Sequence, residues 1–191
     1  MASAPEAIWK PTKADLQAAK GRTIPDVIMP DLDVLFCGIN PGLYSAAAGH
    51  HFARPGNRFW PALHASGFTD RLMSPFADSL LPRFGLGLTN LVARGTASAA
   101  ELSAEEISAG ARKLEGKIRR FRPARLAVLG VGAYQLGFDK KRVKVGRQDH
   151  EIDGTSVWVL PNPSGLNAHY QVAAIAALMK ELREDLDRRD L

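Results

Sequence analysis

Two corners of this 191-residue chain carry residue types that can do chemistry: Asn40-Pro41-Gly42 and Asn162-Pro163-Ser164-Gly165. Each closely follows a short apolar run, Asp33–Ile39 (DVLFCGI) and Ser156–Leu160 (SVWVL). A single Asn-Pro is an ordinary turn. Two of them past strand ends mean more if the strands are parallel, because both then sit on one rim around one crevice. An asparagine amide accepts a hydrogen bond from water but cannot take its proton near neutral pH. Amides, backbone N–H groups and the nearby Phe52 suit a reaction whose leaving group is already good. The protein then has to position water and stabilise developing charge.

Other chemistries lack their residues. There is no G-x-S-x-G elbow and no P-loop. Gly130-Val131-Gly132 has Gln135 where a dinucleotide fingerprint needs its third glycine. His50, His51, His64, His150 and His169 show no metal spacing, and the adjacent His50 and His51 read as loop surface. The lone Cys37 excludes an internal disulfide, a multi-cysteine zinc site and a cysteine-ligated cluster. No cofactor and no metal are expected.

The elements that must position the corners follow from periodicity. Besides the two runs above, Leu86–Val92 and Arg125–Leu129 read as strands buried on both faces. Ser103 and Glu106 form a capping box ahead of Ile107, Ala111, Leu114, Ile118 and Phe121, one apolar helical face that must end before Pro123. Short helices are expected over Lys13–Lys20 after Thr12, from Asn57 as cap through His64, and over Ala133–Phe138. Val172, Ile175, Met179, Leu182 and Leu186 mark the last helix. The stretch from Gly42 to Gly56 reads as loop. The expectation is an α/β protein, a three-layer α/β/α sandwich around a short, mainly parallel four-stranded sheet. Residues 1–22 read as an N-terminal arm and 23–191 as a single domain.

Apolar residues are 46% and charged residues 24%, as in a globular domain. No run reaches the ~18 apolar residues of a membrane helix, and Met1–Lys10 shows no secretory stretch, so neither a membrane partner nor export is expected, and a reducing cytoplasm is the simplest home. The net charge of +5 permits a nucleic-acid partner without demonstrating one. Basic residues concentrate in Lys113–Arg125 and Lys140–Arg147, which read either as solvated faces or as phosphate-tracking surfaces.

Gly38-Ile39-Asn40-Pro41-Gly42-Leu43, Gly49-His50-His51-Phe52, Pro55-Gly56-Asn57-Arg58-Phe59-Trp60, Leu88-Thr89-Asn90-Leu91-Val92 and Leu160-Pro161-Asn162-Pro163-Ser164-Gly165-Leu166 together resemble the mismatch-specific uracil/thymine DNA glycosylases, from about Thr23 to Leu182. The resemblance implies a small α/β/α sandwich and double-stranded DNA containing uracil mismatches as partner. It implies that Asn40 positions the attacking water and that Asn162 is a second catalytic-pocket asparagine. Ile39, Gly42, Ser45, Phe52 and Asn90 would form the base pocket, with Phe52 as stacking platform. Pro163, Ser164, Gly165 and Leu166 would form the wedge that enters the duplex. Two positions depart from the pattern. Ala168 stands where an arginine is frequent. Ala93 stands where a carboxylate is usual, and is expected to remove a group that supports catalysis or orders Arg94.

The implied reaction flips uracil, with thymine or a modified pyrimidine left open, from mismatched duplex DNA, chiefly G·U, and hydrolyses its N-glycosidic bond as a monofunctional, monomeric enzyme. Two other readings stay open on the residues: a non-catalytic DNA-damage binding module and a nucleotide- or cofactor-binding α/β protein.

Overall fold

The structure is a computed structural model that describes residues 9–187. Its sheet contains β1 (Val34–Gly38), β2 (Leu86–Asn90), β3 (Arg125–Leu129), β4 (Gly146–Ile152) and β5 (Thr155–Leu160) in the order β2-β1-β3-β5-β4. Four strands are parallel, with Val34 opposite both Leu86 and Arg125, and Arg125 opposite Ser156. Their continuous apolar character matches burial on both faces.

The sheet has five strands and is mixed, which corrects the expected four. β4 runs antiparallel along the edge of β5, with an irregularity between Arg147 and Glu151. Its sequence, GRQDHEI, has no apolar run, because an edge strand needs only one neighbour and its charges guard the open side. The missed signal was Asp153-Gly154. Both residues have positive φ (49° and 82°), and Ile152 faces Thr155, so this is a two-residue hairpin turn.

The helices are α1 (Lys13–Ala18), α2 (Leu43–Ala48), α3 (Phe59–Ala65), α4 (Ala104–Phe121), α5 (Val131–Gly137) and α6 (Val172–Asp187), with a 3-10 segment over Pro75–Phe84. α2 lies inside the stretch read as loop. Alanines favour the helix there, and Gly49 in the left-handed region (φ 77°) ends it after six residues. α3 starts one residue later than expected: Arg58 takes the cap position, while the Asn57 side chain accepts the Phe59 N–H at 2.9 Å.

α3, α6 and the 3-10 segment pack on one sheet face, around Phe36, Phe59, Leu88, Leu160 and Met179. α4 and α5 pack on the other, around Cys37, Ile107, Leu114, Val128 and Val159. The predicted capping box of α4 forms, with Glu106 N–H donating to Ser103 Oγ at 3.1 Å and Ser103 N–H to Glu106 Oε2 at 3.0 Å. α4 crosses the end of β2 so closely that a Cβ on Gly110 would lie 2.2 Å from the Leu91 carbonyl oxygen. That contact sets where the chain leaves the sheet toward Arg94 and Thr96.

Candidate active site

Because β1 and β5 are parallel with β3 between them, Asn40 and Asn162 emerge on the same rim. Both line one cavity of about 340 Å³, within the range of small-molecule sites. Ile39, Gly42, Ser45, Phe52, Asn90, Pro163, Ser164 and Leu166 line it too. Gly165 is outside the lining and packs against loop 52–57, where a Cβ would lie 2.6 Å from the Gly56 carbonyl oxygen. A larger apolar groove of about 770 Å³ lies against the opposite side of loop 52–57 and contains none of Asn40, Asn90 and Asn162. Chemistry, not size, selects the smaller one.

The two corner asparagines present opposite groups. Asn40 Nδ2 donates to Thr96 Oγ1 (2.7 Å), the Arg94 carbonyl (3.0 Å) and the Pro41 carbonyl (3.2 Å). Thr96 in turn donates its hydroxyl proton to the Ser98 carbonyl at 2.8 Å, so toward Asn40 it can only accept. Three acceptors around one end of the amide fix its orientation. Oδ1, an acceptor, is the atom left for a water or ligand. At Asn162 the arrangement reverses: Oδ1 accepts the Ser164 N–H at 3.0 Å, closing an Asx turn, which leaves Nδ2 as the donor. In the sequence Thr96 has no role beyond closing the stretch Leu91-Val92-Ala93-Arg94-Gly95-Thr96, and a threonine 56 positions from Asn40 offers no local pattern.

Phe52 adopts a left-handed backbone (φ 53°), uncommon for a bulky residue and consistent with a functional constraint. One face of its ring stacks on Phe59 at 4.3 Å between centroids. The ring edge lies near Gly38, where an added Cβ would be 3.4 Å from Cζ, and Phe52 lines the cavity. Ser45 is buried and its Oγ accepts the Ala53 N–H at 3.0 Å, so it also holds the strained loop in place.

His51 departs from the loop-surface reading, whereas His50 is a partly exposed loop residue. His51 is buried, and its Nε2 lies 2.9 Å from the Pro25 carbonyl, a contact that requires Nε2 to carry the proton. Nδ1 is then a lone pair, and the Asn90 amide NH2 faces it at 3.4 Å. Burial is the main cause that lowers the His51 pKa below 6.5, keeping the ring neutral. Asn90 Oδ1 consequently lies on the Gly38 side, where it would approach a Cβ to 2.5 Å. Buried Asp78 accepts from His50 Nδ1 at 2.9 Å and from the His51 N–H at 3.1 Å, tying this pair to the 3-10 segment.

Among the described residues no Asp, Glu or Lys lines the cavity, and no three His, Cys, Asp or Glu side chains gather as a metal ligand set. The cavity combines amides, the hydroxyls of Ser45, Thr96, Ser98 and Ser164, the His51 imidazole, the Arg54 guanidinium, backbone groups and an aromatic ring. Exposed Leu166 (77% accessible) projects at its mouth.

Sequence comparison agrees with this geometry: the family model described as "Uracil DNA glycosylase superfamily" matches residues 25–187. The chain belongs to the uracil DNA glycosylase superfamily. Membership supports uracil glycosylase activity and DNA as the substrate. Among solved structures, the chain is similar to the solution NMR structure of "a putative Uracil DNA glycosylase" from Methanosarcina acetivorans. The TM-score is 0.59 at 20% identity, over 85% of this chain and 98% of that one, a likeness of fold.

Against that background two sequence readings can be placed. Ala93 is exposed and outside the cavity lining. Arg94 is ordered without a carboxylate at that position: its Nε and Nη2 reach the Glu106 carboxylate at 2.6 and 2.9 Å. The Arg94 fork, followed by the Ser103 N–H, holds that carboxyl down at about 2. The basic tract 113–125 is largely engaged in ion pairs rather than forming one free basic face. Lys117 pairs with Asp26, Arg119 with Asp153 at 3.2 Å and Arg122 with Asp31 at 3.5 Å. Arg125, 1% accessible, is held by Asp185 at the end of β3 away from the cavity. Lys140, Lys141, Arg142 and Lys144 are exposed instead, in the segment entering β4 at Gly146, opposite Val159 and hence at the cavity end of the sheet.

Proposed function

We propose that this superfamily member is a mismatch-specific glycosylase that extrudes uracil from duplex DNA, chiefly from G·U pairs. It hydrolyses the N-glycosidic bond and leaves an abasic site. The observation that carries the reading is a cavity that joins Asn40, with Oδ1 as its uncommitted acceptor, to a stacking ring and an apolar mouth residue, with no carboxylate beside them.

A base within a duplex is out of reach and must be rotated out. Unstacking costs a few kcal/mol, less at a mismatch, which favours G·U over A·U. Leu166 fills the vacated space. The flipped uracil stacks on the free side of Phe52. Breaking the bond from C1′ to the base leaves the electron pair on uracil and oxocarbenium character on the sugar. Backbone N–H groups and the Asn162 amide donor stabilise the anion. Asn40 Oδ1 accepts a hydrogen bond from the water that adds to C1′, and the water's proton leaves to solvent. No lysine is at hand among the described lining residues to attack C1′ instead, which supports a monofunctional enzyme. Every group named belongs to one chain, so a monomer suffices, working on DNA in a reducing cytoplasm.

The test is release of free uracil from a panel of G·U, A·U and G·T duplexes and single-stranded uracil, with G·U expected fastest. Binding to G·U without release would make the chain a damage-binding module. Thermal stabilisation by NAD or FAD but not by abasic DNA would make it a cofactor-binding protein. Ala93→Asp, run alongside, is expected to raise the single-turnover rate. An unchanged rate would remove position 93 from catalysis.

A further inference from the structure

We propose that Arg58 is the positioning residue of the loop that carries Leu166. The inference deepens the reading above and rests on it. Arg58 caps α3 immediately after the cavity-lining loop 52–57. Its guanidinium crosses to loop 163–170. Nη1 donates to the carbonyls of Asn167 (2.6 Å), Tyr170 (2.9 Å) and Ser164 (3.1 Å), and Nη2 to that of Gly165 (3.3 Å). The Arg58 backbone N–H donates to the Pro163 carbonyl at 2.9 Å.

These bonds differ in kind from the others in the loop. Ser164 N–H to Asn162 Oδ1 (3.0 Å), Leu166 N–H to Ser164 Oγ (3.3 Å) and Asn167 N–H to the Ser164 carbonyl (2.9 Å) are local. They give the loop its shape, but they would hold equally well with the loop swung away from the cavity. Arg58 and the close contact of Gly165 with Gly56 fix where the loop sits relative to Phe52. A planar guanidinium presents five donors in a fixed fork, which a lysine ammonium cannot reproduce over four carbonyls. Leu166 itself is almost free of the protein, so its aim at the duplex is inherited from the backbone beneath it. Arg58 thus acts on the reaction through the wedge, without touching DNA.

The test measures single-turnover excision from a G·U duplex for wild type, Arg58→Met, Arg58→Lys, Leu166→Ala and the Arg58→Met/Leu166→Ala double variant. Each single variant is expected to lose about 10- to 100-fold in rate, the scale of an ångström-level misplacement. The double variant is expected to fall within about threefold of the worse single, because both act through one step. Losses that multiply would overturn the proposal. So would a wild-type rate for Arg58→Lys, which would show that charge alone suffices. A fall of about one unit in the log–log salt slope of DNA binding for Arg58→Met would reveal a phosphate contact and also overturn it. Hydrogen exchange on the free protein supplies the readout independent of activity. Amides 164–170 are expected to exchange faster in both Arg58 variants while β1 and β3 keep their protection; uniform acceleration would mean general destabilisation and overturn the role. Arg58→Lys serves this comparison if Arg58→Met fails to fold. Should wild type release no uracil from any duplex, the functional reading fails, and exchange still judges the strut.

Discussion

At the scale of single residues, the two asparagines do different work for a reason visible in their partners. Asn40 has its NH2 surrounded by acceptors and offers an oxygen, whereas Asn162 uses its oxygen in a turn and offers an NH2. Asn40→Ala is therefore expected to lower the excision rate by about 100-fold or more. Affinity for an abasic duplex should change by less than about threefold, and equal losses in a binding assay would remove the water-positioning role. With no carboxylate in the described lining, the pH–rate profile should lack a steep limb near pH ~4–5. His51 brings a different pH dependence. Its pKa is lowered by burial and by Lys117, against the Pro25 hydrogen bond, Asp78 and Asp26, which raise it. The folded state binds fewer protons than the unfolded one, so its contribution to stability is full above the unfolded value of 6.5 and is lost as pH falls through the lower folded value. Thermal melts should show stability declining below that pH in wild type and declining less in His51→Gln, whose amide supplies a donor and an acceptor without titrating.

At the scale of elements, α4 is the clearest case of local signals agreeing with the fold. Ser103 and Glu106 start it, one apolar stripe faces the sheet, and Arg122 in the left-handed region stops it before Pro123. The stripe does not reveal why position 110 is glycine. Alanine there would gain about 1 kcal/mol of helix propensity. A methyl 2.2 Å from the Leu91 carbonyl must instead push α4 and the β2 exit apart, and overpacking of this kind costs about 1–3 kcal/mol. Gly110→Ala is expected to destabilise on balance, seen as a lower denaturant midpoint at unchanged slope. Sequence reasoning missed β4 and α2 for opposite causes. β4 alternates charges along an edge, so no apolar run announces it. α2 is six residues long between glycine-rich flanks, too short for a periodicity to show.

On the whole-molecule scale, the parallel sheet sorts the basic residues by distance from the cavity. The tract ending at Arg125 leads to the far end of β3 and is largely tied into ion pairs, whereas Lys140, Lys141 and Arg142 stand exposed at the cavity end. Each neutralised phosphate contributes about 0.9 to the salt slope of duplex binding. Replacing Lys140, Lys141 and Arg142 by alanine should lower that slope by about 2–3. Replacing Arg119 and Arg122 should leave it nearly unchanged. A slope that responds to the second pair and not to the first three would reverse the assignment of the DNA-facing surface.

The residues alone determined the four apolar strands, the capped α4 and the two Asn-Pro corners, because each depends on neighbours within a few positions. The same-rim placement of Asn40 and Asn162 was also legible, since strands that run parallel end on the same edge of the sheet. Only the tertiary structure decided which end of each amide faces the cavity, that His51 is buried and neutral, and that Arg58 grips the loop bearing Leu166. For Asn40, His51 and Arg58 those outcomes rest on hydrogen-bond partners 26 to 112 positions apart, which no local pattern encodes; the Asn162 amide is turned by Ser164, two positions on.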